Sequence, residues 1–239
     1  MEHNSQYKLL ITTSGTGSRL GDLTKHTNKA LVPIAGKLTL LYILDRYDAA
    51  IPIVVTLGYL GDQVRDFFAQ EYPDRDVTFV AVDPYEGPGS SLGYSLLQAE
   101  PFLQCPFVFH ACDTILMQDV PFPDQNWAAG YVPPAGMDAS QYRTHKVEDG
   151  RIVALRDKGE EDFNAIHIGV TGIASYREFW KTLRGLYESK PEDSGWSDVH
   201  VVDAMIKQGI EFRSVLFDPW LDTGNLPALE KTQDYLESI

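Results

Sequence analysis

The sequence has little cysteine. Its 239 residues include two, Cys105 and Cys112, both in or beside an apolar run. So few cysteines exclude a small fold held together by disulfides, and they suit free, buried thiols in a reducing compartment. We therefore expect a cytoplasmic protein whose two thiols are unpaired.

Positive charge is scarce as well. The chain has 20 Lys+Arg against 34 Asp+Glu, which gives a formal net charge of −14 at pH 7. Such an acidic chain is a poor candidate for wrapping a nucleic-acid backbone or coating an anionic membrane. We therefore predict no nucleic-acid partner and no membrane partner. An anionic substrate would need a few local cations or a metal ion to override the overall field.

Long apolar runs, repeats and low-complexity tracts are also missing. The N-terminal residues 1–8 are polar and have no signal-peptide core, and no apolar run approaches the length of a membrane span. The hydrophobic fraction of 44 % and the charged fraction of 23 % are close to those of an average globular protein. We therefore expect one domain with a sizeable core over residues 1–239.

Strand-like and helix-like segments alternate through the first part of the chain. Apolar runs predict strands at residues 9–11, 53–55, 77–82 and 107–109, with helices at 40–47, 64–68 and 92–99. This alternation favours a mainly parallel sheet that is covered on both faces.

The second part of the chain has a different pattern. Residues 142–146 and 151–155 flank Asp149-Gly150 and predict a hairpin. Further strands are predicted at 128–132, 166–173 and 211–217, with helices at 176–188, at 199–207 and after Asn225. We expect an NTP-binding half at about residues 1–115 and an acceptor-binding half at about residues 116–239, with an antiparallel insertion in the second.

Two neighbouring segments near the N-terminus could bind phosphate. The first is a loop directly after the first predicted strand, followed by Arg19 and consisting of Ser14, Gly15, Thr16, Gly17 and Ser18. Its glycines let backbone N–H groups approach a phosphate, and Arg19 can fork onto phosphate oxygens. The loop is neither the dinucleotide fingerprint nor a Walker A loop, and alone it leaves a purely steric role equally open. In the second segment Lys29, close to this loop, could neutralise phosphate charge or be a surface lysine.

Four motifs in order resemble those of the sugar-1-phosphate nucleotidyltransferases. They are Gly15-x-Gly17-x-Arg19-Leu20, then Lys29-x-Leu31-x-Pro33 followed by Gly36-Lys37, then residues 109–115 around Asp113, and finally Trp220-Leu221-Asp222-Thr223-Gly224. The resemblance runs from about residue 8 to the C-terminus. Four motifs in this order and spacing are specific to the superfamily and not to one substrate.

The resemblance implies a fold and an activity. The fold is α/β, a Rossmann-like mixed and mainly parallel sheet of the nucleotide-diphospho-sugar transferase type with an antiparallel acceptor-side insertion. The activity is Mg²⁺-dependent transfer of NMP from an NTP to a phosphorylated small molecule, most simply a sugar 1-phosphate, with release of pyrophosphate. One alternative is a cytidylyltransferase acting on a non-sugar phosphate such as phosphocholine. Another is a catalytically silent nucleotide-sugar-binding regulatory subunit.

The resemblance also implies roles for individual residues. Arg19 and Lys29 are the expected catalytic residues, and Asp113 and Asp222 are the expected Mg²⁺ ligands, since hard oxygen ligands suit this ion. The glycine loop with Arg19, Lys29, Asp83, Gly87 and Gly89 is expected to bind the NTP. Acceptor binding is expected at Asp157, Lys158 and Asn164.

The residue at position 83 bears on which NTP base the site prefers. Asp83 stands where thymidylyl enzymes commonly place a glutamine, and a carboxylate suits the donors of cytosine or guanine better than the carbonyls of thymine or uracil. We therefore expect CTP or GTP to be preferred.

His110 and His167 lie in apolar strands and are expected in the core or at its rim, and Cys112 has no histidine arrangement that would make it a nucleophile.

Overall fold

A computed structural model of the chain describes residues 7–190 and 195–239. Its strands, in chain order, are β1 (Lys8–Thr12), β2 (Pro33–Ile34), β3 (Lys37–Leu38), β4 (Ile53–Leu57), β5 (Val77–Ala81), β6 (Phe107–Ala111), β7 (Thr114–Leu116), β8 (Trp127–Tyr131), β9 (Thr144–Glu148), β10 (Arg151–Arg156), β11 (Ala165–Ile173), β12 (Arg213–Leu216) and β13 (Trp220–Asp222). Every strand that the apolar runs predict is present, with bounds that shift by one or two residues.

The helices also follow the predicted periodicity. They are α1 (Thr39–Leu44), α2 (Gly61–Glu71), α3 (Leu92–Ala99), α4 (Tyr176–Ser189), α5 (Asp198–Lys207) and α6 (Leu226–Glu237). Two begin at side-chain caps, because Ser91 Oγ accepts a hydrogen bond from Tyr94 N at 2.9 Å and Asn225 Oδ1 accepts one from Ala228 N at 3.1 Å. The predicted cap at Asn225 is therefore confirmed.

Nine strands form one mixed sheet in the order β5-β4-β1-β6-β11-β8-β12-β10-β9. All of them run in the same direction except β10 and β11, which are antiparallel to their neighbours. The predicted α/β fold with an antiparallel insertion is confirmed, and the strands of both parts of the chain share this sheet. The chain order reverses at β1, which lies between β4 and β6, so a ligand crevice is expected beyond the carboxyl ends of β1 and β6.

Both faces of the central strands are buried. Leu9, Leu10 and Ile11 of β1 have no exposed surface, with Leu10 in the core on one face and its two neighbours in the core on the other. A strand buried on both faces must be apolar along its whole length, which is why the run is continuous and does not alternate.

Two small pairings are not visible in the sequence pattern. β2 pairs with β3, and β13 pairs antiparallel with β7, with Asp222 opposite Thr114. Strands of two or three residues are too short to show a period, and the second pair joins distant parts of the chain. The described residues contain no helix that is both long enough and apolar enough to cross a membrane.

Candidate active site

The glycine loop follows β1 at the point where the strand order reverses. Ser14 is buried, and its hydroxyl lies 2.9 Å from the hydroxyl of Ser95 on α3. The backbone N–H of Tyr59 donates to Ser14 O at 3.0 Å, so the loop is fixed from two sides. Gly17 has a φ of 66°, the left-handed region that favours glycine, and a Cβ there would lie 3.1 Å from Lys29 Cβ.

A first cavity, of about 440 Å³, opens over this loop. Eight of the ten residues predicted to bind the NTP line it: Ser14, Gly15, Thr16, Gly17, Ser18, Arg19, Lys29 and Gly87. The other two, Asp83 and Gly89, are exposed and do not line it. Tyr85 and Glu86, between them in sequence, do line it. The segment predicted to read the base therefore reaches the cavity, but Asp83 is not the carboxylate that faces it.

Asp113 lies just beyond the carboxyl end of β6 and pairs with Lys29. Lys29 Nζ is 2.5 Å from Asp113 Oδ2, and both side chains are largely shielded from solvent. Burial raises the pKa of Asp113, but the charges of Lys29 and Arg19 outweigh this effect and hold the pKa below its usual value. Asp113 is therefore an anion that the structure surrounds with two cations.

The pairing of β13 with β7 brings Asp222 beside Asp113. Gly224 N donates to Asp222 Oδ1 at 2.7 Å, and the backbone N–H of Thr223 donates to Asp113 O at 2.9 Å. A Cβ on Gly224 would lie 3.0 Å from Asp222 Oδ1 and 3.3 Å from Asp113 Oδ2, so one glycine separates the two carboxylates. Burial and the charge of Asp113 raise the pKa of Asp222, as expected of neighbouring like charges.

The donor set at this point suits Mg²⁺. Two carboxylates converge, while the described residues contain no cluster of three or more His, Cys, Asp and Glu side chains that could hold a metal ion by themselves. Mg²⁺ is usually bound through one or two carboxylates and completes its octahedron with water and substrate phosphates. Burial and, to a smaller extent, the charge of Asp113 raise the pKa of Asp222, and a bound cation would counteract both effects.

A second cavity, of about 200 Å³, adjoins the first at Asp113 and also has Asp222 in its wall. Asp113, Asp222, Arg19 and Gly224 line it together with residues from the second part of the chain, namely Tyr142, Arg143, Lys158, His167, Asp198 and Trp220. Lys158 is thus where an acceptor-binding lysine was predicted. Tyr142 donates a hydrogen bond to Asp222 Oδ2 at 3.0 Å, which anchors this wall to the carboxylate.

Asp157 and Asn164 are placed differently from Lys158. Asp157 Oδ1 accepts a hydrogen bond from Lys158 N at 2.8 Å and lies 3.2 Å from Arg143 Nε, in a neighbouring third cavity of about 230 Å³. The Asn164 amide bonds both backbone groups of Val147 at 2.8 Å, which fixes the segment before β11 to β9. Neither residue lines the second cavity, so their roles in acceptor binding stay predictions.

His110, Cys112 and His167, which were expected to have no catalytic role, are all buried. His110 is fully buried between Tyr47 Oη at 2.7 Å and Thr114 O at 2.9 Å, as expected of a core histidine. Burial raises the pKa of Cys112 to about 11, so its thiol is protonated at neutral pH even though it borders the first cavity. His167 is buried, at the wall of the second cavity.

Four residues of the second cavity were missed in the sequence. Tyr142 and Arg143 lie directly before β9, Asp198 is at the start of α5, and Trp220 is in the short strand β13; no local pattern marks these places as a binding wall. The sequence could have indicated Trp220, because it is the first residue of the Trp-Leu-Asp-Thr-Gly motif that identified Asp222. The other three become neighbours only when the insertion folds over β11.

A glycine loop at a strand-order reversal, with Asp113 at both cavities and Asp222 beside it, is an arrangement typical of a nucleotidyltransferase. Residues 9–122 match the MobA-like NTP transferase domain family. The match covers just under half of the chain. With the uridylyltransferase described next, which aligns over most of the chain, it confirms the predicted resemblance to the sugar-1-phosphate nucleotidyltransferase superfamily.

Two curated relatives are each 25 % identical to the chain. One is described as UTP–glucose-1-phosphate uridylyltransferase AglF of Haloferax volcanii, over 227 residues that cover 90 % of this chain and 90 % of that protein. The other is the bifunctional protein GlmU of Methanococcus vannielii, over 112 residues that cover 46 % of this chain and 25 % of that protein. The chain thus matches a quarter of the length of the second relative.

A solved structure of similar extent is CTP:phosphocholine cytidylyltransferase (LicC) from Streptococcus pneumoniae. It superposes with a TM-score of 0.77 at 20 % identity, over 97 % of this chain and 99 % of that one. At this identity the similarity shows a shared fold.

Proposed function

We propose that the chain transfers an NMP group from an NTP to a phosphorylated small molecule, with a sugar 1-phosphate as the favoured acceptor. The products are an NDP-sugar and pyrophosphate, and the reaction depends on Mg²⁺. One observation carries the proposal: Asp113 and Asp222 converge on Gly224, and both Asp113 and Gly224 line the cavity of the phosphate-type loop as well as the cavity that holds Lys158.

The first cavity is the proposed NTP site. Its lining comes from residues 12–113, apart from Gly224, which supports an NTP-binding half at about residues 1–115. The glycine loop offers backbone N–H groups to the phosphates, and Arg19 and Lys29 supply positive charge. Arg19 borders both cavities, so it is placed to stabilise charge that builds up between the two substrates.

The second cavity is the proposed acceptor site. Lys158 and Arg143 would bind the acceptor phosphate and bring one of its oxygens to the α-phosphorus of the NTP. A new bond forms between that oxygen and the α-phosphorus, while the bond from the α-phosphorus to the bridging oxygen breaks and pyrophosphate leaves. The attacking phosphate is already an anion, so no side chain has to remove a proton. Catalysis is therefore mainly positioning and charge stabilisation.

Asp113 and Asp222 would hold Mg²⁺, which when bound neutralises phosphate charge at the reacting centre. Lys29 Nζ bonds Asp113 Oδ2, the carboxylate oxygen beside Gly224. Lys29 therefore keeps Asp113 ionised and oriented in the absence of a metal ion.

The relatives support the acceptor class at different levels. The uridylyltransferase relative, aligned over 90 % of both chains, is named for glucose 1-phosphate, which favours a sugar 1-phosphate here. The phosphocholine alternative is supported by the fold that the chain shares with the phosphocholine cytidylyltransferase. A silent regulatory subunit is disfavoured, because a binding module has little need for two partly buried carboxylates held beside each other. We place the reaction in the cytoplasm, where unpaired Cys105 and Cys112 would persist.

The preference for CTP or GTP remains a proposal. It was based on Asp83, whose backbone carbonyl accepts a hydrogen bond from Tyr94 Oη at 2.8 Å and which is exposed outside the first cavity. Glu86 provides an alternative carboxylate that lines the cavity, with the same lack of a donor for a base carbonyl. Exchanging Asp83 and Glu86 for glutamine, one at a time, shows which of them influences kcat/KM for the four NTPs.

The proposed function is tested by pyrophosphate release. Each of CTP, GTP, UTP, dTTP and ATP is paired with sugar 1-phosphates, phosphocholine and acceptor-free buffer, with Mg²⁺ or with EDTA. We expect release that needs Mg²⁺ and an acceptor, and that is fastest with a sugar 1-phosphate. Faster turnover of phosphocholine than of every sugar 1-phosphate would select the alternative. Absence of release from every pair would contradict the proposed activity.

A further inference from the structure

Three buried polar side chains form a hydrogen-bonded chain that ends at the second cavity. His145 of β9 has its Nε2 at 2.9 Å from Nδ1 of His167 on β11, and His167 Nε2 lies 2.9 Å from Oδ2 of Asp198. All three are at least nine-tenths buried, and Asp198 and His167 line the cavity. The proposed phosphate transfer uses none of the three.

The surroundings of His145 and Asp198, the two ends of this hydrogen-bonded series, determine where its protons lie. His145 Nδ1 is buried with no hydrogen-bond partner, and burial with the neighbouring His167 lowers the pKa of His145 well below its usual value. His145 is therefore neutral, and we assign its proton to Nε2, where it is donated to His167 Nδ1. His167 then carries its proton on Nε2 and donates it to the Asp198 carboxylate. The reverse arrangement would bury an unpaired N–H and leave a bare nitrogen against the carboxylate.

The result is a carboxylate with one oxygen used and one oxygen free. Asp198 Oδ2 accepts from His167, whereas Oδ1 accepts no hydrogen bond from any residue that the structure describes. Asp198 is also the first residue of α5, a ten-residue helix that begins after Ser197 and whose amino end favours negative charge. The structure thus holds a desolvated carboxylate in a fixed orientation at a cavity wall, which requires a ligand or water to complete it.

We propose that Asp198 is the acceptor-specificity residue and that Oδ1 accepts a hydrogen bond from a hydroxyl group of a polyhydroxylated acceptor phosphate. His167 and His145 act as positioning residues behind it. The proposal rests on the proposed function, because it assigns the acceptor to the second cavity. It deepens that function by naming the group that distinguishes a sugar phosphate from a non-sugar phosphate.

A hydroxyl fits this position better than an ammonium group. The charge of Asp198 is already opposed by the His167 N–H and by the amino end of α5. Arg19, Arg143 and Lys158 line the same cavity and would repel a second cation. A hydroxyl needs only the free acceptor, and a buried acceptor left unpaired makes a site reject a ligand that lacks the hydroxyl.

The test is direct acceptor binding by isothermal titration calorimetry, which does not depend on turnover. Glucose, mannose and galactose 1-phosphates are compared with phosphocholine and phosphoethanolamine. The tightest sugar phosphate is then compared with its monodeoxyfluoro analogues, for the wild-type chain and for Asp198→Ala and Asp198→Asn. Asp203→Asn on the same helix is the matched control, because Asp203 does not line the second cavity.

We expect one deoxyfluoro analogue to bind the wild-type chain about 10- to 100-fold more weakly than the parent sugar phosphate, the usual cost of losing a hydrogen bond to a charged group. Asp198→Ala should bind parent and analogue equally, Asp198→Asn should show a smaller difference than wild type, and Asp203→Asn should behave as wild type. This pattern isolates the pairwise contact from a general structural effect of the substitution.

Two results would overturn the inference: tighter binding of the ammonium phosphates than of every sugar phosphate, or a deoxyfluoro penalty that persists undiminished in Asp198→Ala. The comparison of sugar and ammonium phosphates on the wild-type chain decides the first point even if Asp198→Ala is unstable, and Asp198→Asn then serves for the second. The predicted binding pattern without pyrophosphate release would contradict the proposed function and leave the assignment of Asp198 intact.

Discussion

Asp113 and Asp222 have opposite pKa shifts although they lie side by side. Lys29 and Arg19 lower the pKa of Asp113 against the effect of burial, whereas burial and Asp113 raise that of Asp222. Both cations act mainly on Asp113, whereas Asp222 forms no ion pair with any residue that the structure describes. The negative charge of Asp222, placed beside Asp113, is the electrostatic reason to expect a divalent cation there.

Replacing either carboxylate by its amide should therefore remove most of the activity. For Asp113→Asn and Asp222→Asn we expect a loss in kcat of about a hundredfold or more, since a bound metal ion contributes several kcal/mol to transition-state stabilisation. Steady-state pyrophosphate release over a range of Mg²⁺ concentrations measures this. Asp119→Asn is the control, an exposed aspartate on the loop after β7. Near wild-type turnover of either variant at saturating Mg²⁺ would rule out the metal assignment.

The positions of Lys158 and Arg19 predict different kinetic signatures. Lys158 lines the second cavity only, so Lys158→Ala should raise the acceptor KM by about tenfold and leave the NTP KM within about twofold. Arg19 lines both cavities, so Arg19→Ala should weaken NTP use and also lower kcat. Initial rates with each substrate varied in turn provide the comparison. If Lys158→Ala altered the NTP constants alone, the assignment of the two cavities would be wrong.

The motifs singled out the charged residues that the structure brings together at the cavities, but few of the residues that form the cavity walls. Arg19, Lys29, Asp113 and Asp222 adjoin strands or turns whose residue types are set by phosphate and metal chemistry, so they could be recognised locally. Asp198 faces the site because α5 begins beside β11, and this contact between distant segments has no local signature. For the same reason the exposure of Asp83 could not be foreseen.

At the scale of elements, the end of β4 supports the glycine loop. A Cβ on Gly58 would lie 2.5 Å from Ser14 O and 2.7 Å from Tyr85 Cβ, closer than real contacts allow. The close approach thus fixes the loop and the segment of Tyr85 relative to each other, and both line the first cavity. Glycine is the residue that permits this approach without displacing a backbone atom.

Gly58→Ala should therefore destabilise the fold and loosen the NTP site together. We expect the free energy of unfolding to fall by about 1–3 kcal/mol, as for other overpacked positions, and the NTP KM to rise. Gly185→Ala is the matched control in α4, where a Cβ meets nothing within 4 Å and should add up to about 1 kcal/mol of stability. Urea unfolding and NTP titrations measure both effects. Unchanged stability and unchanged NTP KM in Gly58→Ala would contradict the supporting role.

Element type was more predictable than element pairing. Most strands of the large sheet contain apolar runs, and the helices follow a 3.6-residue period that begins at a side-chain cap in α3 and α6, so local patterns located them. The pairing of β7 with β13 is set by packing between distant segments, and it is this pairing that brings Asp222 to Asp113. The motifs indicated that Asp113 and Asp222 act together. The strand pairing that brings them together could be seen only in the structure.

At the scale of the whole molecule, a net charge of −14 coexists with a site built from local cations. The overall field repels nucleoside triphosphates, and Arg19, Lys29, Arg143 and Lys158 reverse it within the two cavities. The same excess of carboxylates makes stability depend on pH, and two buried histidines add to that dependence in a specific window.

The pKa of His110 in the folded and unfolded states sets the limits of this pH window. Burial lowers its pKa to about 4 from a usual value of 6.5, so the folded chain binds the proton more weakly than the unfolded chain. Between pH 6.5 and about 4 the unfolded state therefore holds more protons, and the free energy of unfolding falls as the pH falls. A difference of this size corresponds to about 3 kcal/mol across the window. Above pH 6.5 both states hold His110 neutral, and its contribution no longer changes.

We therefore predict that His110→Asn has a shallower pH dependence of stability than the wild-type chain. Loss of the bonds to Tyr47 and Thr114 should lower the free energy of unfolding at pH 7.5 by about 1–3 kcal/mol, while the further decrease from pH 6.5 to 4 becomes smaller by up to about 3 kcal/mol. Part of the dependence should remain, because burial also lowers the pKa of His145. Urea unfolding followed by circular dichroism at half-unit pH steps gives both quantities. His26→Gln, at an exposed histidine, should reproduce the wild-type curve, and a His110→Asn curve parallel to wild type across this window would exclude His110 as its source.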